Sequence, residues 1–444
     1  MKALPVIAVL DVGKTNKKFF LFDQQYHIVL ERSVNVHEID DEDGDPCDNI
    51  EGIKYLLFDF LDEALRHDEF VIRAINYSAY GASFVYVDKN GQAIAPLYNY
   101  LKKYPAHLHQ KFYDDYGGET EFSHRTASPV LGSLNSGLQL YRMKYERPEI
   151  FNQIFYALHL PQYMSYLVTG KAVSEMTSIG CHTGLWDFSK NCYHEWVEKE
   201  GIISKLAPIY PSTDTLEVSY KKYAFISGIG LHDSSAALIP YLIHFNEPFV
   251  LLSTGTWNIT MNPFNQELLT TSELQNDCLC YISYKGIPVK ASRLFSGHEH
   301  EEHVKILAAH FDKAPGYYKN VGFDPQMIKR SESSSERFPD PASCNSFEEA
   351  YHQFLFYLVK KQFVSSGFVI TANIKKIFVD GGFSQNPLFM NMLASLYPGM
   401  EVYGASIVQS TALGAALAIH DKWNNNPLPD SFIDLKHYPP GFSF

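Results

Sequence analysis

The sequence predicts an α/β protein with two domains of similar design that face each other across a cleft. Two observations carry this prediction. The chain has 444 residues, more than one ordinary hydrophobic core contains, which suits two domains of about 200 residues each. A strand, a turn with Gly and Thr, and another strand also occur twice, as LDVGKTN at residues 10–16 and LSTGTWN at residues 252–258. The repeat indicates duplication of a whole domain.

In the first half, strands come before helices. Apolar runs predict strands at residues 5–10, 18–22, 28–34 and 74–87. Apolar residues at helical spacing predict a helix over residues 52–66, and helical signals dominate residues 132–201.

The second half repeats the pattern. Strands are predicted at residues 249–253, 257–261 and 374–379, and helices at 387–396 and 408–420. The predicted boundary lies near residues 240–248, which gives domains 1–244 and 245–444. Residues 312–345 are rich in Ser, Pro and charge and are predicted to form a mobile insertion.

Composition excludes several classes of protein. A formal net charge of −13 without a long basic run argues against a nucleic-acid partner. No run of 18 apolar residues predicts a membrane span, and the N-terminus lacks the features of a signal peptide. Six scattered cysteines are few for this length, so we expect reduced thiols and a cytoplasmic location.

The two repeated turns are the first candidates for chemistry. Gly13, Lys14 and Thr15 do not form a P-loop, because Ala8 stands where that motif needs Gly and a strand follows instead of a helix. Backbone N–H groups and hydroxyls of tight turns can hold phosphate, and a carboxylate such as Asp11 can hold Mg²⁺ through water. The alternative is a plain hairpin. The second turn, Thr254-Gly255-Thr256, favours a clamp for a triphosphate.

Two glycine-rich segments supply the other candidates. In GIGLHDSSAAL (residues 228–238), Asp233 follows His232 at a predicted strand-to-helix junction, where it is either an N-cap or a general base. In VDGGFSQN (residues 379–386), Gly381 and Gly382 would let a nucleotide lie against the backbone, although many tight turns have paired glycines.

A third segment resembles a metal site but is predicted not to be one. His298, His300 and His303 fail the H-E-x-x-H spacing and are assigned to a solvated acidic helix face. Cys278 and Cys280 are predicted to be half-buried on a strand rather than zinc ligands.

The order of these motifs resembles that of the FGGY carbohydrate kinases, over roughly residues 5–420. The matching segments are DVGKTNKK at 11–18, LPQYMSYLVTG at 160–170, SEMTSIGCHTGLWD at 174–187, GIGLHDSSAAL at 228–238, STGTWNITM at 253–261, DGGFSQNPLFMNMLA at 380–394 and STALGAALA at 410–418. The resemblance implies two RNase H-like domains of the actin-like ATPase fold, with a catalytic cleft between them.

The resemblance also implies ATP, Mg²⁺ and phosphorylation of a sugar or polyol. By motif position, Asp233 would be the base, and Asp11 and Asp233 the carboxylates near the metal. The residues implied to bind the nucleotide are Asp11, Gly13, Lys14, Thr15, Asn16, Thr254, Gly255, Thr256, Gly381, Gly382 and Asn386. Those predicted to bind the sugar are Tyr80, Gly81, Ala82, His232, Asp233 and Trp257.

The chain departs from the family pattern at three positions. Lys18 stands where the first motif usually ends in Arg, and Gln409 where Glu often precedes the T-A-L-G-A-A stretch. Many relatives carry an aromatic-x-Asp-x-Arg motif for the sugar, whereas residues 98–102 (YNYLK) have no Asp. Tyr100 occupies the Asp position.

These departures direct the prediction of the substrate. An aromatic wall that includes Tyr80 and Tyr98 suits a methyl terminus, and the motif pattern is similar to the L-fuculose kinase branch, so L-fuculose is predicted ahead of L-rhamnulose. The alternatives are a kinase for xylulose, ribulose or glycerol, an actin-like ATPase without a sugar substrate, and an inactive sugar sensor. The expected partners are the sugar and ATP, with neither nucleic acid nor membrane, and a homodimer is a candidate assembly.

Overall fold

The first half of the chain folds around one large mixed β-sheet. The computed structural model describes residues 3–328, 340–407 and 409–441. The strands of the first half are β1 (Leu4–Val12), β2 (Lys17–Phe22), β3 (Ile28–Val34), β4 (Ile39–Asp40), β5 (Pro46–Cys47), β6 (Phe70–Ala79), β7 (Phe84–Val87), β8 (Tyr156–His159), β9 (Ser174–Glu175), β10 (Trp186–Asp187), β11 (Cys192–Tyr193), β12 (Ile209–Tyr210), β13 (Thr215–Tyr220), β14 (Tyr223–Gly228) and β15 (Leu231–His232). Its helices are α1 (Ile50–Arg66), α2 (Ala106–Asp115), α3 (Gly118–Thr126), α4 (Ser136–Glu146), α5 (Pro148–Gln153), α6 (Leu160–Thr169), α7 (Met176–Ile179), α8 (Glu195–Lys199) and α9 (Asp233–His244).

Strand β1 lies near the centre of this sheet, and its sequence shows why. The described strands follow the order β13–β14–β6–β1–β2–β3, and β15 also pairs with β6. Strands β1, β2 and β3 are antiparallel, whereas β6 runs parallel to β1. Ile7 and Val9 belong to one apolar cluster and Val6, Ala8 and Leu10 to another. Both faces are therefore buried, which explains a continuous apolar run instead of an alternating one.

The second half folds around another mixed sheet. Its described strands are β16 (Phe249–Thr254), β17 (Asn258–Asn262), β18 (Cys278–Ile282), β19 (Pro288–Leu294), β20 (Lys376–Gly381), β21 (Glu401–Ser406) and β22 (Asp434–Tyr438). Its described helices are α10 (Thr271–Gln275), α11 (Ser296–His310), α12 (Phe347–Gly367), α13 (Pro387–Leu396), α14 (Ser410–Ala418) and α15 (His420–Trp423). The strand order is β18–β19–β17–β16–β20–β21–β22.

The two sheets share one plan. In each, a strand–hairpin–strand unit (β1–β2 or β16–β17) extends into a further antiparallel strand, β3 or β19. In each, the first strand of that unit pairs in parallel with a later strand, β6 or β20. The predicted duplication is therefore present in the topology, although the two halves share little sequence outside the turns.

The halves contact each other beside the two parallel pairs. Helix α9 of the first half packs on helix α14 of the second half. The side-chain amide of Asn76, on β6, donates to the backbone carbonyl of Ala415 at 2.7 Å. The hydroxyl of Thr411 donates to the carboxylate of Asp11, also at 2.7 Å. Small residues in α14 (STALGAALA) permit the close approach of the two helices.

Many of the predicted elements agree with the structure. The predominantly helical region 132–201 also holds the short strands β8 to β11, and the helix predicted over residues 408–420 forms as α14 and the start of α15, with residue 408 outside the described residues. Three further differences concern single features. One strand was predicted over residues 74–87, but β6 ends at Ala79 and β7 begins at Phe84 and pairs elsewhere, with β8. The break follows from the backbone of Ala82, whose φ of 62° is incompatible with a strand. Cys278 and Cys280 lie on β18 as predicted, but both are buried rather than half-buried.

The third detail concerns the insertion predicted at residues 312–345. The structure describes residues 312–328 and 340–345, where it forms short 3₁₀ turns at Tyr317–Asn320, Pro325–Met327 and Pro341–Ser343. The remainder of that prediction, residues 329–339, lies outside the described residues. Within the part of the chain that is described, none of the helices combines the length and the apolar character that crossing a bilayer requires.

Candidate active site

Two hairpin tips present exposed backbone and hydroxyl groups. The β1–β2 turn closes where the N–H of Gly13 donates to the carbonyl of Asn16 at 3.0 Å. The β16–β17 turn closes where the N–H of Gly255 donates to the carbonyl of Trp257 at 3.0 Å. Their tips, Thr15-Asn16 and Gly255-Thr256, are exposed. Each tip therefore has the donors that an anion needs.

Two carboxylates lie near the first tip. Asp11 is on β1, and Asp233 is the first residue of α9, preceded by His232 as the N-cap. Burial raises the pKa of Asp11 to about 6, and the negative charge of Asp233 adds to this effect while Thr411 opposes it. Burial also raises the pKa of Asp233 to about 6, against a hydrogen bond of 2.6 Å from the N–H of Ser234. For both carboxylates, the effect of burial therefore outweighs the hydrogen bonds and positive charge around them.

His232 holds Asp233 from one side. Its Nε2 lies 3.2 Å from Oδ1 of Asp233 and 3.0 Å from Sγ of Cys181. The imidazole stacks on Tyr281, with ring centroids 5.4 Å apart. Burial lowers the pKa of His232 to about 3, so the ring is neutral at physiological pH. Gly81 packs against this ring and against Cys181, which brings the predicted sugar-binding segment beside Asp233.

Aromatic and charged groups form the wall beside that segment. Tyr80 is buried, and its hydroxyl donates to Asp48 at 2.8 Å. Its ring meets that of Tyr100 edge-on, with centroids 6.0 Å apart. The carbonyl of Ala82 accepts from the side-chain amide of Gln139 at 2.7 Å. These contacts hold Tyr80, Gly81 and Ala82 in place without a regular strand.

Trp257 and Lys14 have partners other than those the sequence suggested. The indole of Trp257 packs on Phe295, with centroids 4.4 Å apart, and under the guanidinium of Arg293, 5.1 Å from its centroid. The ammonium of Lys14 is turned toward Asp48 and Glu38, at 2.5 and 2.9 Å. Neither contact was predictable from local spacing.

A cavity of about 500 Å³ opens beside the second tip. Four residues predicted to bind nucleotide line it: Thr254, Gly255, Gly382 and Asn386. The other lining residues are Gly297, His300, Tyr318, Lys319, Val321, Phe383, Gln385 and Pro387, which the sequence-based prediction missed. Tyr318, Lys319 and Val321 belong to a segment without a recognisable motif, whereas Phe383, Gln385 and Pro387 flank the predicted Gly-Gly turn and could have been included.

His300 corrects one prediction. Helix α11 forms as expected, but His300 is buried against the cavity instead of lying on a solvated face. Its Nε2 lies 3.0 Å from the hydroxyl of Tyr351, which also accepts from the amide of Asn386 at 2.8 Å. Burial lowers the pKa of His300 to about 4. Among the described residues, no group of three or more His, Cys, Asp or Glu side chains is arranged to hold a metal ion.

Several of the predicted nucleotide residues act by shaping the cavity. The hydroxyl of Thr254 donates to the carbonyl of Asp380 at 2.5 Å and accepts from the N–H of Phe383 at 2.9 Å. Gly381 has a φ of 84°, and a Cβ there would lie 1.9 Å from the carbonyl oxygen of Thr254. Asn386 caps α13 by accepting from the N–H of Leu388 and Phe389. These contacts fix the backbone at the edge of the cavity.

The residues present fit a nucleotide and a hydrated cation. A volume of about 500 Å³ is typical of a small-molecule pocket, and open space lies beside Gly382, where a Cβ would contact nothing within 4 Å. Asp11 and Asp233 supply only two carboxylates, which suits a Mg²⁺ ion that keeps waters and takes phosphate oxygens as its other ligands.

Comparison with known proteins identifies two family domains in the chain. Residues 6–239 match the FGGY family of carbohydrate kinases, N-terminal domain. Residues 246–322 match the carbohydrate kinase FGGY, C-terminal domain. The resemblance inferred from the motifs is therefore confirmed.

Curated relatives match at low identity. A rhamnulokinase of Yersinia pestis (strain Pestoides F) is 22% identical over 268 residues, which are 57% of this chain and 53% of that protein. A rhamnulokinase of Pectobacterium atrosepticum is 21% identical over 360 residues, 76% of this chain and 72% of that protein. The match thus spans about half the length of the first relative.

Solved structures share the fold over nearly the whole chain. A carbohydrate kinase from Novosphingobium aromaticivorans superposes with a TM-score of 0.77 at 24% identity, covering 99% of this chain and 95% of that one. A ligand-bound xylulose kinase from Lactobacillus acidophilus superposes with a TM-score of 0.78 at 16% identity, covering 99% and 94%. The predicted fold class, two RNase H-like domains of the actin-like ATPase fold, is confirmed.

Proposed function

The chain belongs to the FGGY family of carbohydrate kinases, and from that premise we propose that it transfers the γ-phosphate of ATP to a primary hydroxyl of a ketose. The observation that carries the proposal is the position of Asp11 and Asp233. Both carboxylates have a pKa of about 6, and they lie near one exposed hairpin tip, while a second tip borders the nucleotide-sized cavity.

Asp233 is proposed as the general base. Phosphoryl transfer passes through a loose transition state, so one positioned carboxylate is enough to accept the proton of the attacking hydroxyl. A pKa of about 6 keeps this carboxylate ionised at neutral pH and still basic enough to take the proton. Neutral His232, 3.2 Å away, can donate Nε2–H to Asp233 and so fix its orientation.

The nucleotide is proposed to occupy the cavity, with its phosphates at the two hairpin tips. Gly382, Tyr318 and Phe383 of the cavity lining would take the base and ribose. The phosphates would face the two tips, at Gly13, Thr15, Asn16, Gly255 and Thr256. Thr254, Gly381 and Asn386 would hold the shape of this site through the contacts described above. Bound Mg²⁺, near Asp11 and Asp233, would neutralise the charge of the phosphate oxygens.

L-Rhamnulose is the favoured substrate, ahead of L-fuculose. The edge-on pair of Tyr80 and Tyr100 supports a 6-deoxyketose. Tyr98, which the sequence also assigned to this aromatic wall, instead donates its hydroxyl to Glu42. The order of the two sugars is reversed from the motif-based prediction, because the curated relatives at 21–22% identity are rhamnulokinases. Xylulose, ribulose and glycerol remain the alternatives within the family fold.

Three further predictions belong to the proposal. A boundary at residues 244/245 is supported by family matches that fall on either side of it. A cytoplasmic location is supported by six free cysteines and by the need for ATP. The homodimer stays a prediction.

The test is a phosphorylation screen with ADP release as the readout. L-Rhamnulose, L-fuculose, D-xylulose, D-ribulose and glycerol are compared on one preparation with MgATP. ADP release that depends on a ketose, highest in kcat/KM for L-rhamnulose, is the expected result. A lead of tenfold or more for D-xylulose or glycerol would remove the 6-deoxyketose assignment. ADP release that no sugar changes would instead indicate an ATPase of the same fold.

A further inference from the structure

Lys14 lies in the first phosphate-sized turn, but its side chain belongs to a different network. The turn fixes its backbone, because the ammonium of Lys17 donates to the carbonyl of Lys14 at 3.0 Å. The ammonium of Lys14 then reaches Asp48 at 2.5 Å and Glu38 at 2.9 Å. Despite the opposing effect of burial, hydrogen bonds with these carboxylates raise the pKa of Lys14, so it stays protonated.

Asp48 is the fixed centre of this network. Its side chain is 3% exposed, and it accepts from Lys14, from Tyr80 at 2.8 Å and from Lys17 at 3.1 Å. Although burial opposes ionisation, Lys14 and Lys17 lower the pKa of Asp48. Two cations thus face two anions, Asp48 and Glu38, and the network is neutral as a whole.

The loop that carries Asp48 is itself anchored. Asp41, Asp43 and Asp45 surround the ammonium of Lys102 at 2.5, 2.8 and 3.2 Å. Lys102 is 5% exposed, so it acts as an internal cation for residues 39–48. The anchored loop keeps the Asp48 carboxylate within hydrogen-bonding distance of the Lys14 ammonium.

The ammonium of Lys14 retains one donor. An ammonium has three N–H donors, and the described residues provide two acceptors, Asp48 and Glu38. The side chain is 26% exposed, so the third donor can face the open space beside it. The rings of Tyr80 and Tyr100 border that space, with centroids 5.8 and 5.9 Å from the ammonium nitrogen.

The tyrosines that border this space also lie close to the segment of the proposed base. Burial raises the pKa of Tyr100, Lys14 opposes this, and the charge of Asp233 adds to it, so Tyr100 lies within electrostatic reach of both groups. Tyr80 precedes Gly81, which packs against His232, the residue before Asp233. The lysine beside Asp11 in the β1–β2 register is Lys18 rather than Lys14.

We propose that Lys14 is a sugar-recognition residue whose free N–H donates to an oxygen of the ketose, and that it is not a ligand of the triphosphate. The inference rests on the proposed function. The chain places a cation, held by Asp48, beside the rings of Tyr80 and Tyr100. A protonated lysine donates only, so it selects an oxygen acceptor on the sugar.

The test compares Lys14→Met with Lys14→Arg, and with Lys103→Met as the control on an exposed lysine nearby. Dissociation constants for L-rhamnulose without nucleotide and for ATP without sugar are measured by calorimetry, together with the steady-state KM of each. We expect Lys14→Met to weaken sugar binding by about 10- to 100-fold, the usual effect of losing a charged hydrogen-bond donor. ATP binding should stay within two-fold, and Lys103→Met should change neither constant.

Each outcome decides the inference. Weaker ATP binding with unchanged sugar binding would make Lys14 a phosphate ligand and overturn the proposal. Unchanged constants for both ligands would overturn it as well. If Lys14→Met fails to fold, Lys14→Arg decides: it keeps the charge beside Asp48 but moves the donor, and an unchanged sugar constant then contradicts the proposal. A wild-type protein that phosphorylates no sugar overturns the proposed function and this inference together, whereas active wild type with an unaffected variant overturns only the inference.

Discussion

At the scale of single residues, Asp233 is both the first residue of a helix and the proposed general base. It is the first residue of α9, where a carboxylate is favoured by the helix dipole, and its Oδ1 accepts from the N–H of Ser234. Burial nevertheless raises its pKa to about 6, which a solvated helix-start aspartate would not show. A group held above its ordinary pKa in a cleft is a candidate for proton transfer.

Replacing Asp233 with Asn should abolish most of the turnover. The amide keeps the size and the contact with His232 but cannot accept the proton. We expect kcat to fall by roughly 10²–10⁴-fold while the dissociation constants for sugar and ATP stay nearly unchanged. The value of kcat is measured from the rate of ADP release, and the dissociation constants are measured by calorimetry. The control is Asp68→Asn, at an exposed position. An Asp233→Asn enzyme that keeps over half of the wild-type kcat would refute the assignment of Asp233 as the base.

The acid limb of the pH profile should report the same carboxylate. The base must be ionised, and its pKa is about 6 before the cation binds. The value of kcat/KM for MgATP, which reports that state of the enzyme, is therefore expected to fall about tenfold for each pH unit below about pH 6 and to level off above it. Asp11, also with a pKa of about 6, titrates in this range and steepens the fall. A profile flat down to pH 4.5 would show that neither carboxylate controls the reaction.

At the scale of elements, the start of α11 shapes the second hairpin tip. A Cβ on Gly297 would lie 1.7 Å from the carbonyl oxygen of Gly255 and 3.0 Å from that of Thr256. The backbone of α11 at Gly297 therefore packs directly against the backbone of the β16–β17 turn, and only glycine permits this close approach. The turn and the helix line the same cavity, so their contact sets the shape of the proposed phosphate site.

Gly297→Ala is expected to displace the Gly255-Thr256 turn. The added methyl overlaps a backbone carbonyl, and overpacking of this kind costs about 1–3 kcal/mol. If the displacement acts on nucleotide binding, KM for ATP should rise by about tenfold or more and KM for the sugar should change little. Gly367→Ala is the matched control, because a Cβ at the end of α12 meets nothing within 4 Å. Equal ATP constants for the two variants would contradict this account of the turn.

At the scale of the whole molecule, the two hairpin tips belong to different sheets joined beside helices α9 and α14. Each tip is exposed, and the proposed reaction needs both on one triphosphate. The link between the halves includes two hydrogen bonds of 2.7 Å, from Asn76 to Ala415 and from Thr411 to Asp11. The halves also meet where α3 contacts α10 and where α7 contacts β18. Closure would rotate one half against the other about these contacts.

Closure is expected only when both ligands are present. A closed cleft excludes water and so limits hydrolysis of ATP without a sugar acceptor. Small-angle scattering with the sugar and a non-hydrolysable ATP analogue should give a smaller radius of gyration than either ligand alone. An unchanged radius, with binding of both ligands confirmed by calorimetry, would show that the tips do not move together in this way.

The sequence alone determined the features that depend on neighbouring residues. The apolar run of β1 and the turn at Gly13 specify a hairpin locally, and the same is true of the second copy at Gly255. The duplication, the fold class, the family and the candidate carboxylates Asp11 and Asp233 follow from these short segments and their order. The break at residues 80–83 escaped prediction, because Ala82 has a φ of 62° that no residue type there demands.

Only the tertiary structure decided which predicted side chains are free to act. Lys14 meets Asp48 across 34 positions of sequence, and Thr254 meets Phe383 across 129, so their partners could not be inferred from spacing. The cavity likewise combines α11, residues 318–321 and residues 382–387, which are brought together by packing on one sheet. Local patterns fix backbone conformation, whereas the partners of a charged or hydroxyl side chain depend on which distant segments pack beside it. For that reason the sequence specified the framework of the site, and the fold assigned Lys14, Thr254 and His300 their surroundings.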